Sequence, residues 1–499
     1  MYKFLSILLF TFLFSCTATK VPTEEFRGVW VATVVNIDWP KKATDNPEKQ
    51  KKDFTDILDF YQTLNFNAAI VQVRTAGDAF YPTKLAPWSK YLTGQEGEAP
   101  KEFSDPLEWM IKETHQRGME FHAWLNPYRA TFDLDTLALS QKHDFYQHHD
   151  WMVKYGKKYY YNPGLPEVRN QFVKIIEELV GKYEIDAIHF DDYFYPYKIK
   201  DEVFDDSTAY QTYGLQDQSL EDWRRSNVDS LVKNVHQTIK RTKPWVQFGI
   251  SPFGVWKNNS TDPRGSNTKA GQTTYEDLYA DPLLWIEKGW LDYLAPQAYW
   301  SMDYPPASHR EIVSWWAKTS SNTNLYIGNG TYKIKNNKDE AWEKKNEIPK
   351  QLNFARDQEN VAGNIFFSAK SLIGKHPEIT KSLKRKFYPL PSKNPSSRNK
   401  IKRHVLAPSV EKITKNGNDL EICISHSDSI PRFINYYTLK GKEANKKVLI
   451  AKDYLSESQN QGCFENKFTK KNLRKGIGVT VIDPFGNESS LLELNLKLE

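Results

Sequence analysis

The sequence predicts a (β/α)8 barrel followed by a small all-β module, and three observations support this prediction. Eight short apolar segments recur between residues 26 and 368, with amphipathic stretches between them. The segments are nearly continuous in hydrophobic residues, which is typical of parallel strands covered by helices. After residue 387 the pattern changes to short alternating segments separated by turns. A chain of 499 residues is long enough for both parts.

The eight predicted strands lie at intervals that leave room for helices. They are Phe26–Val35, Ala68–Arg74, Met119–Asn126, Ile185–Asp191, Val246–Pro252, Leu291–Tyr299, Asn324–Asn329 and Gly363–Ser368. Eight strand–helix units over roughly 350 residues fit a closed barrel with long loops.

Three of the intervening stretches have the periodicity of amphipathic helices. Lys52–Leu64, Glu167–Tyr183 and Asp222–Thr242 carry apolar residues three and four positions apart, on one helix face. A doubly wound open sheet is the rival architecture. No segment resembles the glycine-rich turn that binds a dinucleotide in such sheets, so we expect the closed barrel.

The C-terminal part predicts a β-sandwich of fibronectin-III or immunoglobulin size behind a Pro/Ser/basic linker. Its predicted strands are Leu420–Ile424, Ile434–Leu439, Lys447–Ala451 and Gly476–Ile482. Whether this module is a spacer or binds glycan stays open. Cys423 and Cys463 either pair as a disulfide or remain two buried thiols.

The N-terminus has the pattern of an export signal. Lys3 precedes the apolar run Phe4–Phe14, which is too short to span a bilayer permanently. The run ends in Leu13-Phe14-Ser15-Cys16, which resembles a bacterial lipobox. Lipidation of Cys16 would anchor the chain to a membrane; an ordinary signal peptide with an incidental cysteine is the alternative.

These patterns predict a cell-envelope protein that is lipid-anchored, on the periplasmic side or at the outer membrane. The expected divisions are a signal peptide at 1–15, a tether at 16–25, the barrel at 26–387, the linker at 388–403 and the sandwich at 404–499.

Composition and charge favour some classes of ligand over others. The formal net charge of +6 suits an anionic polymer or a membrane surface, but no basic helix or known motif predicts nucleic-acid binding. Aromatic residues make up 14% of the chain, and in excess they often line a cleft. No Cys/His spacing predicts a metal site, and we expect no cofactor, with water as the only co-substrate.

The ends of the predicted strands carry the candidate binding residues, because enzymes with this fold work at the carboxyl ends of the strands. Amide and guanidinium groups suit sugar hydroxyls, and flat rings suit pyranose faces. The candidates are Arg74, Trp124, Asn126, Arg129, Tyr195, Gln297, Tyr299 and Trp300, with Trp124 and Trp300 expected to stack on the sugar.

The fourth strand ends in two carboxylates, Asp191 and Asp192. Strand alternation places His189 and Asp191 on one face and Phe190 and Asp192 on the other. If Phe190 packs outward against helices, Asp191 points into the barrel and is the better nucleophile or base. The structural alternative is that both carboxylates cap the next segment or pair with Arg74 or Arg129.

Glycoside hydrolysis normally uses two carboxyl groups, one of them protonated. No glutamate stands at the predicted mouth, so the second carboxyl is expected from Asp303, Asp78 or Asp192, with Asp38 a further candidate. Their alternative roles are hydroxyl binding and turn capping. His143, His148 and His149 are expected at the surface.

Five blocks, in order along the chain, resemble the glycosyl hydrolase-like 10 family over roughly residues 25–372. They are Phe26-Arg27-Gly28-Val29-Trp30-Val31-Ala32-Thr33, Gln72-Val73-Arg74, Trp124-Leu125-Asn126-Pro127-Tyr128-Arg129, His189-Phe190-Asp191-Asp192-Tyr193 and Pro296-Gln297-Ala298-Tyr299-Trp300. The resemblance implies an exported bacterial (β/α)8 protein, often a lipoprotein. It also implies cleavage of peptidoglycan glycan strands, with a preference for strands stripped of stem peptides, and a C-terminal sandwich in some members.

A more distant resemblance links Asp186–Asp191 to the fourth-strand block of α-amylases, with Asp191 at the nucleophile and His189 in place of an arginine. The fifth strand lacks the amylase glutamate, and the chitinase glutamate falls on Tyr193. Neither mechanism can therefore be assigned in full to this sequence, and retention or inversion of the anomeric configuration stays open.

The sequence therefore predicts an envelope glycoside hydrolase acting on peptidoglycan glycan strands. The alternatives are a hydrolase of α-glucan or another polysaccharide, and a non-catalytic glycan-binding lipoprotein. The missing fifth-strand glutamate is the best support for the last.

Overall fold

The structure, a computed structural model, describes residues 22–398, 401–416, 419–427, 430, 432–439, 447–456, 458–459 and 461–496. The predicted signal peptide and Cys16 lie outside these residues. Within them, no helix has both the length and the apolar character needed to cross a bilayer.

Eight parallel strands close into a barrel, which confirms the predicted fold class. In chain order, with a hairpin of β4 and β5 inserted, the strands are β1 Phe26–Val31, β2 Ala68–Arg74, β3 Glu120–Leu125, β4 Met152–Tyr155, β5 Lys158–Tyr161, β6 Ala187–Phe190, β7 Gln247–Ile250, β8 Tyr293–Leu294, β9 Asn324–Asn329 and β10 Val361–Phe366. The order around the barrel is β1-β10-β9-β8-β7-β6-β3-β2. Because β1 pairs with both β2 and β10, the barrel has no open edge.

Helices surround the strands, as the amphipathic periodicity predicts. They are α1 Pro47–Thr63, α2 Lys90–Thr93, α3 Pro106–His115, α4 Asp144–Gln147, α5 Pro166–Lys182, α6 Ser207–Tyr213, α7 Leu220–Thr242, α8 Pro282–Glu287, α9 His309–Thr319, α10 Glu347–Arg356 and α11 Pro377–Ser382. Side-chain N-caps stabilise the first turns of several helices. Asn46 accepts the Lys49 N–H at the start of α1, and Ser219 accepts the Asp222 N–H at the start of α7.

Two layers of hydrophobic residues result from strand alternation. The outer layer packs the strands against the helices and includes Phe190, which faces Phe172 of α5 at a ring-centroid distance of 5.4 Å. The inner layer fills the barrel with rings such as Phe26 and Tyr326, stacked 4.0 Å apart. Since Phe190 faces outward, Asp191 points inward, as the alternation argument expects.

The C-terminal part forms two antiparallel sheets, ordered β11-β12-β15 and β14-β13-β16-β17. The elements are β11 Ser409–Asn416, β12 Asp419–Ser425, β13 Arg432–Leu439, β14 Lys447–Leu455, β15 Gln461–Lys467, α12 Lys470–Arg474, β16 Ile477–Ile482 and β17 Leu492–Glu493. Cys423 and Cys463 face each other on β12 and β15 and form a disulfide. The likeness to fibronectin III stays a prediction.

The C-terminal module packs on the barrel at the amino ends of the strands. Tyr454 stacks on His115 with ring centroids 3.8 Å apart and donates its hydroxyl to Glu184 at 3.1 Å. Lys452 lies against Gly118, in the turn that leads into β3. The module therefore covers the end of the barrel opposite the strand tips.

A buried ion cluster also lies at this end. Glu25 accepts Arg27 Nε at 2.8 Å, and Arg356 binds both oxygens of Glu25 at 2.7 and 2.9 Å. Arg27 also donates to the Leu390 carbonyl at 2.7 Å and stacks over Tyr388. The cluster joins the first strand to α10 and to the segment that leaves the barrel.

We expect Glu25→Ala to lower the free energy of unfolding by about 3–5 kcal/mol, because two buried guanidinium groups would lose their counter-charge. Thermal unfolding followed by circular dichroism measures the effect. Glu48→Ala is the matched control, since the Glu48 side chain is 83% exposed and pairs only with Lys51. Equal melting shifts in the two variants would contradict this assignment.

Candidate active site

The carboxyl ends of the strands surround a cleft of about 480 Å³. Aromatic rings form much of its wall: Trp30, Trp124, Phe132, Tyr193, Tyr197, Phe253, Tyr299, Trp300, Tyr332 and Phe367. Polar groups from five strand ends lie between the rings: Gln72, Asn126, Asp191, Ser251 and Gln297. Such a combination suits a ligand with both hydroxyl edges and apolar faces.

Asp191 is the one carboxylate that lines the cleft among the described residues. Its Oδ1 accepts Gln297 Nε2 at 3.0 Å and the Asp192 N–H at 2.9 Å. Gln297 also donates to the Ser251 carbonyl at 3.0 Å, which fixes the amide orientation. Two N–H donors thus hold Asp191 at the centre of the strand ends.

Asp192 lies directly behind Asp191 and is 2% exposed. Tyr197, which lines the cleft, donates its hydroxyl to Asp192 Oδ2. Burial raises the pKa of Asp191. Burial and the neighbouring Asp191 charge raise the pKa of Asp192 well above its usual value. The raised pKa favours the protonated form of Asp192, the more deeply buried member of the pair.

A chain of hydrogen bonds runs from the floor of the cleft down the barrel axis. Trp30 Nε1 donates to His189 Nε2 at 3.1 Å, so the other ring nitrogen of a neutral His189 carries the proton. His189 Nδ1 and His122 Nδ1 both lie 2.9 Å from the Tyr293 hydroxyl, and His122 Nε2 lies 3.0 Å from Glu120. Burial lowers the pKa of His189 well below its usual value, which keeps it neutral.

Three buried donors around the cleft have no hydrogen-bond partner within the part of the chain that the structure describes. They are Gln72 Nε2, Asn126 Nδ2 and Arg129 Nε. Trp124 Nε1 donates to Asn126 Oδ1 at 3.1 Å, so the Asn126 amide is held with its N–H group free. An unpaired buried donor is costly, and a ligand with acceptor oxygens would satisfy all three.

Three cations also line the cleft: Arg129, Lys158 and Lys333. Across the described ranges, none of them forms an ion pair. Arg129 lies over the Tyr193 ring at 4.5 Å and Lys158 over the Phe132 ring at 4.4 Å, while Lys333 donates to the Tyr299 carbonyl at 2.5 Å. Since Asp191 is the one described carboxylate at the cleft wall, cations outnumber carboxylates there.

Several residues predicted for the site lie outside the cleft. Arg74 is buried beneath it and donates to the Asp78 carbonyl at 3.1 Å. The Asp78 carboxylate accepts the N–H groups of Thr75 and Ala76, each at 2.9 Å, and so caps its own turn. Tyr195 packs under the loops and donates to Asp206.

Two further acidic candidates are also elsewhere. The Asp303 side chain is 72% exposed and pairs with Arg310 at 3.4 Å. Asp38 is buried and accepts the Ala32 and Lys370 N–H groups at 2.8 and 2.9 Å, so it holds the loop after β1. Trp124, Asn126, Arg129, Gln297, Tyr299 and Trp300 all line the cleft with Asp191.

Sequence reasoning missed Lys158, Lys333 and Tyr197. Lys158 belongs to the β4–β5 hairpin, which lies outside the ends of the predicted barrel strands. Lys333 is the last residue of the short 3-10 helix Thr331–Lys333, which follows β9. The expectation that His143 lies at the surface is wrong. It is 1% exposed, because its Nε2 bonds to the Ala130 carbonyl at 3.0 Å; His148 and His149 are exposed.

No cluster of three or more His, Cys, Asp or Glu side chains that could hold a metal ion occurs among the residues described.

Comparison with known proteins gives one family. The model described as Glycosyl hydrolase-like 10 matches residues 25–344. Glycosyl hydrolase YngK of Bacillus subtilis (strain 168) is 43% identical over 493 residues, which cover 97% of this chain and 96% of that protein. Glycosyl hydrolase DigH of Escherichia coli (strain K12) is 39% identical over 334 residues, covering 63% of this chain and 75% of that protein.

Solved structures are similar at a lower level. The PgaB (BpsB) glycoside hydrolase domain from Bordetella bronchiseptica has a TM-score of 0.49 at 13% identity, covering 73% of this chain and 99% of that one. The α-amylase from Geobacillus thermoleovorans has a TM-score of 0.42 at 13% identity, covering 90% of this chain and 99% of that one.

We expect Tyr197→Phe to move the alkaline limb of kcat/KM to higher pH. The Tyr197 hydroxyl favours the ionised form of Asp192, so its removal raises the pKa of that carboxyl further. The pair then keeps its proton to a higher pH. A pH–rate profile measures the shift, and Tyr304→Phe, a tyrosine that is not among the cleft-lining residues, is the control. A limb that stays in place, or moves to lower pH, would show that Asp192 does not set it.

Proposed function

The chain belongs to the Glycosyl hydrolase-like 10 family and is a glycoside hydrolase, and from that premise we propose that its substrate is the glycan strand of peptidoglycan. We also propose that it acts in the cell envelope, anchored through a lipid on Cys16. The lipobox-like sequence at Leu13–Cys16 supports the anchor, and the mixed character of the cleft supports the substrate.

The observation that carries the substrate proposal is that Asp191 shares one cleft with aromatic rings and three cations. Peptidoglycan strands alternate N-acetylglucosamine with N-acetylmuramic acid, and the second sugar bears a lactyl carboxyl group. That carboxylate is free only where the stem peptide has been removed. A cleft in which Arg129, Lys158 and Lys333 outnumber the one described carboxylate, Asp191, suits a strand with free carboxylates.

The alternative of a neutral α-glucan fits this cleft less well. A glucan offers hydroxyl oxygens to the unpartnered N–H groups of Gln72 and Asn126, but it offers no negative charge to the three cations. Burial already lowers the pKa of Lys158 and Lys333, which means that their charges are held at a cost. An anionic substrate would offset that cost.

The aspartate pair supplies the chemistry. A departing sugar oxygen needs a proton, and positive charge developing at the anomeric carbon needs a nearby negative charge. Asp191 brings a carboxyl group to the cleft wall, and the raised pKa of Asp192 behind it favours a protonated carboxyl there. Trp124 and Trp300 offer ring faces for stacking, and Gln297 keeps Asp191 in place.

We expect Asp191→Asn to abolish release of oligosaccharides from peptide-stripped peptidoglycan while leaving binding to the polymer intact. Loss of one acid–base group typically lowers kcat by about 10²–10⁴-fold. The measurement is mass spectrometry of the products released by the protein from residue 22 onward, from intact and from amidase-stripped peptidoglycan. Asp56→Asn, on the exposed face of α1, is the matched control.

Each outcome decides between the proposed functions. Products with new reducing ends, absent with Asp191→Asn, support a peptidoglycan glycosidase. Retention on the polymer with no products would favour the glycan-binding protein, and activity on starch alone would favour the glucan hydrolase.

We expect Lys333→Gln to raise KM for stripped glycan by about two- to fivefold with little change in kcat, since it removes one partly exposed charge contact. The same variant should cleave chitin oligomers, which carry no carboxylate, as well as the unchanged protein does. Added salt should weaken the preference for the charged strand. Equal losses on both substrates would mean that Lys333 does not recognise a carboxylate.

A further inference from the structure

The two lysines of the cleft belong to strand ends on opposite sides of the barrel. Lys158 lies in the β4–β5 hairpin, where the Tyr159 carbonyl accepts the Ala130 and Thr131 N–H groups just after β3, each at 3.1 Å. Lys333 ends the 3-10 helix that follows β9. Around the closed barrel, three strands separate β3 from β9 in either direction. The lysines therefore mark two opposite edges of the cleft, the β3 edge and the β9 edge.

The β3 edge carries two cations over one aromatic ring. Lys158 and Arg129 lie over the Phe132 ring at 4.4 and 5.4 Å. Burial, together with the nearby Arg129 charge, lowers the pKa of Lys158. Lys158 and Phe132 are both partly exposed, so a ligand in the cleft can reach them. An anion bound here would offset the repulsion between the two positive charges.

The β9 edge pairs one cation with two rings. Lys333 lies 5.9 Å from the centre of the Trp300 ring and 5.8 Å from that of Tyr332, which is 41% exposed. Its ammonium group donates to the Tyr299 carbonyl at 2.5 Å. Since an ammonium has three N–H donors, this bond leaves donors for a ligand. The β9 edge can therefore bind an anion of its own.

A continuous row of aromatic rings joins the two edges. Tyr193 and Tyr197 have ring centroids 5.3 Å apart. Phe253 lies 6.1 Å from Tyr197 and 5.5 Å from Trp300. These rings follow β6, β7 and β8, the strands on one arc between β3 and β9, and Asp191 follows β6 on the same arc. A glycan that stacks on this row therefore passes Asp191 between the two edges.

In a glycan strand without stem peptides, lactyl carboxylates stand on alternate sugars, so one neutral sugar separates two successive carboxylates. We propose that the β3 edge and the β9 edge each bind one of two successive carboxylates, with the cleaved bond between them at Asp191. The identity of the polymer rests on the proposed function. The new element is that charge is recognised on both sides of the cleaved bond.

Two-sided recognition sets the length of the substrate. The shortest strand that reaches both edges contains two charged sugars and the neutral sugar between them. Each product of that strand keeps one of the two carboxylates, so it can occupy only one edge. We therefore expect digestion to stop at short oligosaccharides with one charged sugar and not to proceed to single sugars.

A double-mutant cycle tests whether the two edges bind separate carboxylates. Lys158→Gln and Lys333→Gln should each weaken binding of peptide-free strand oligosaccharides about two- to fivefold. The losses should multiply to about four- to twenty-fivefold in the double variant, because distant sites without a shared partner act independently. Calorimetry in the Asp191→Asn background keeps the strand intact, and Lys52→Gln, on the exposed face of α1, is the control. A combined loss no larger than either single loss would overturn the inference.

A second measurement assigns each carboxylate to its edge. Oligosaccharides with two charged sugars are compared with the same compounds in which one carboxylate has been converted to a neutral amide. The unchanged protein should lose about two- to fivefold in kcat/KM with either amide. Lys158→Gln should reduce the response to one amide and Lys333→Gln the response to the other. If both variants reduce the response to the same amide, the edges are not separate subsites.

The inference and the proposed function fail separately. Cleavage of peptide-stripped peptidoglycan at the same rate with free and with amidated carboxylates would overturn the inference and leave the proposed substrate standing. Hyaluronan oligosaccharides also carry carboxylates on alternate sugars. Their binding with multiplying losses in the two lysine variants, without cleavage of peptidoglycan, would support the inference and overturn the proposed substrate.

Discussion

The indole N–H of Trp30 fixes the proton positions along the barrel axis. Because this group can only donate, His189 must accept at Nε2 and donate from Nδ1 to the Tyr293 oxygen. Tyr293 can then donate to His122, and His122 to Glu120. The chain ties β1, β6, β8 and β3 together inside the barrel, where water could not replace a lost partner. The rings that carry it also form the floor on which the aspartate pair sits.

The site itself is built from groups that are unfavourable without a ligand. Two carboxyls on consecutive residues are buried together, three donors lack partners within the described chain, and three cations share the cleft with one carboxylate, Asp191. Such a set is stable only because the closed barrel holds the strand ends rigidly. The same rigidity means that little reorganisation is needed when a glycan enters, and catalysis by pre-placed charges and dipoles depends on such pre-organisation.

Much of the fold could be predicted from the sequence, because apolar strands buried on both faces leave an unmistakable pattern. The bounds of Ala68–Arg74 and Asn324–Asn329 agree residue for residue. Strand alternation also gives the inward direction of the Asp191 side chain, because Phe190 packs outward against α5. Asp191 and Asp78 both follow predicted strands, so their positions in the sequence do not show which of them faces the cleft. The sequence does not reveal that the Asp78 carboxylate already accepts the N–H groups of Thr75 and Ala76. The role of Lys158 could not be predicted because it belongs to an inserted hairpin. Strands such as β11 and β15 were not predicted because they lack a strong apolar pattern.

The ion cluster around Glu25 has a geometric consequence for the whole molecule. Glu24 pairs with Lys393, so the chain enters the barrel and leaves it at one end, and the C-terminal module sits at that same end. The cleft opens at the other end. If a lipid, a tag or a solid support were attached ahead of residue 22, the cleft would face away from the point of attachment. An enzyme immobilised in this way would keep its cleft accessible to an insoluble polymer above the surface.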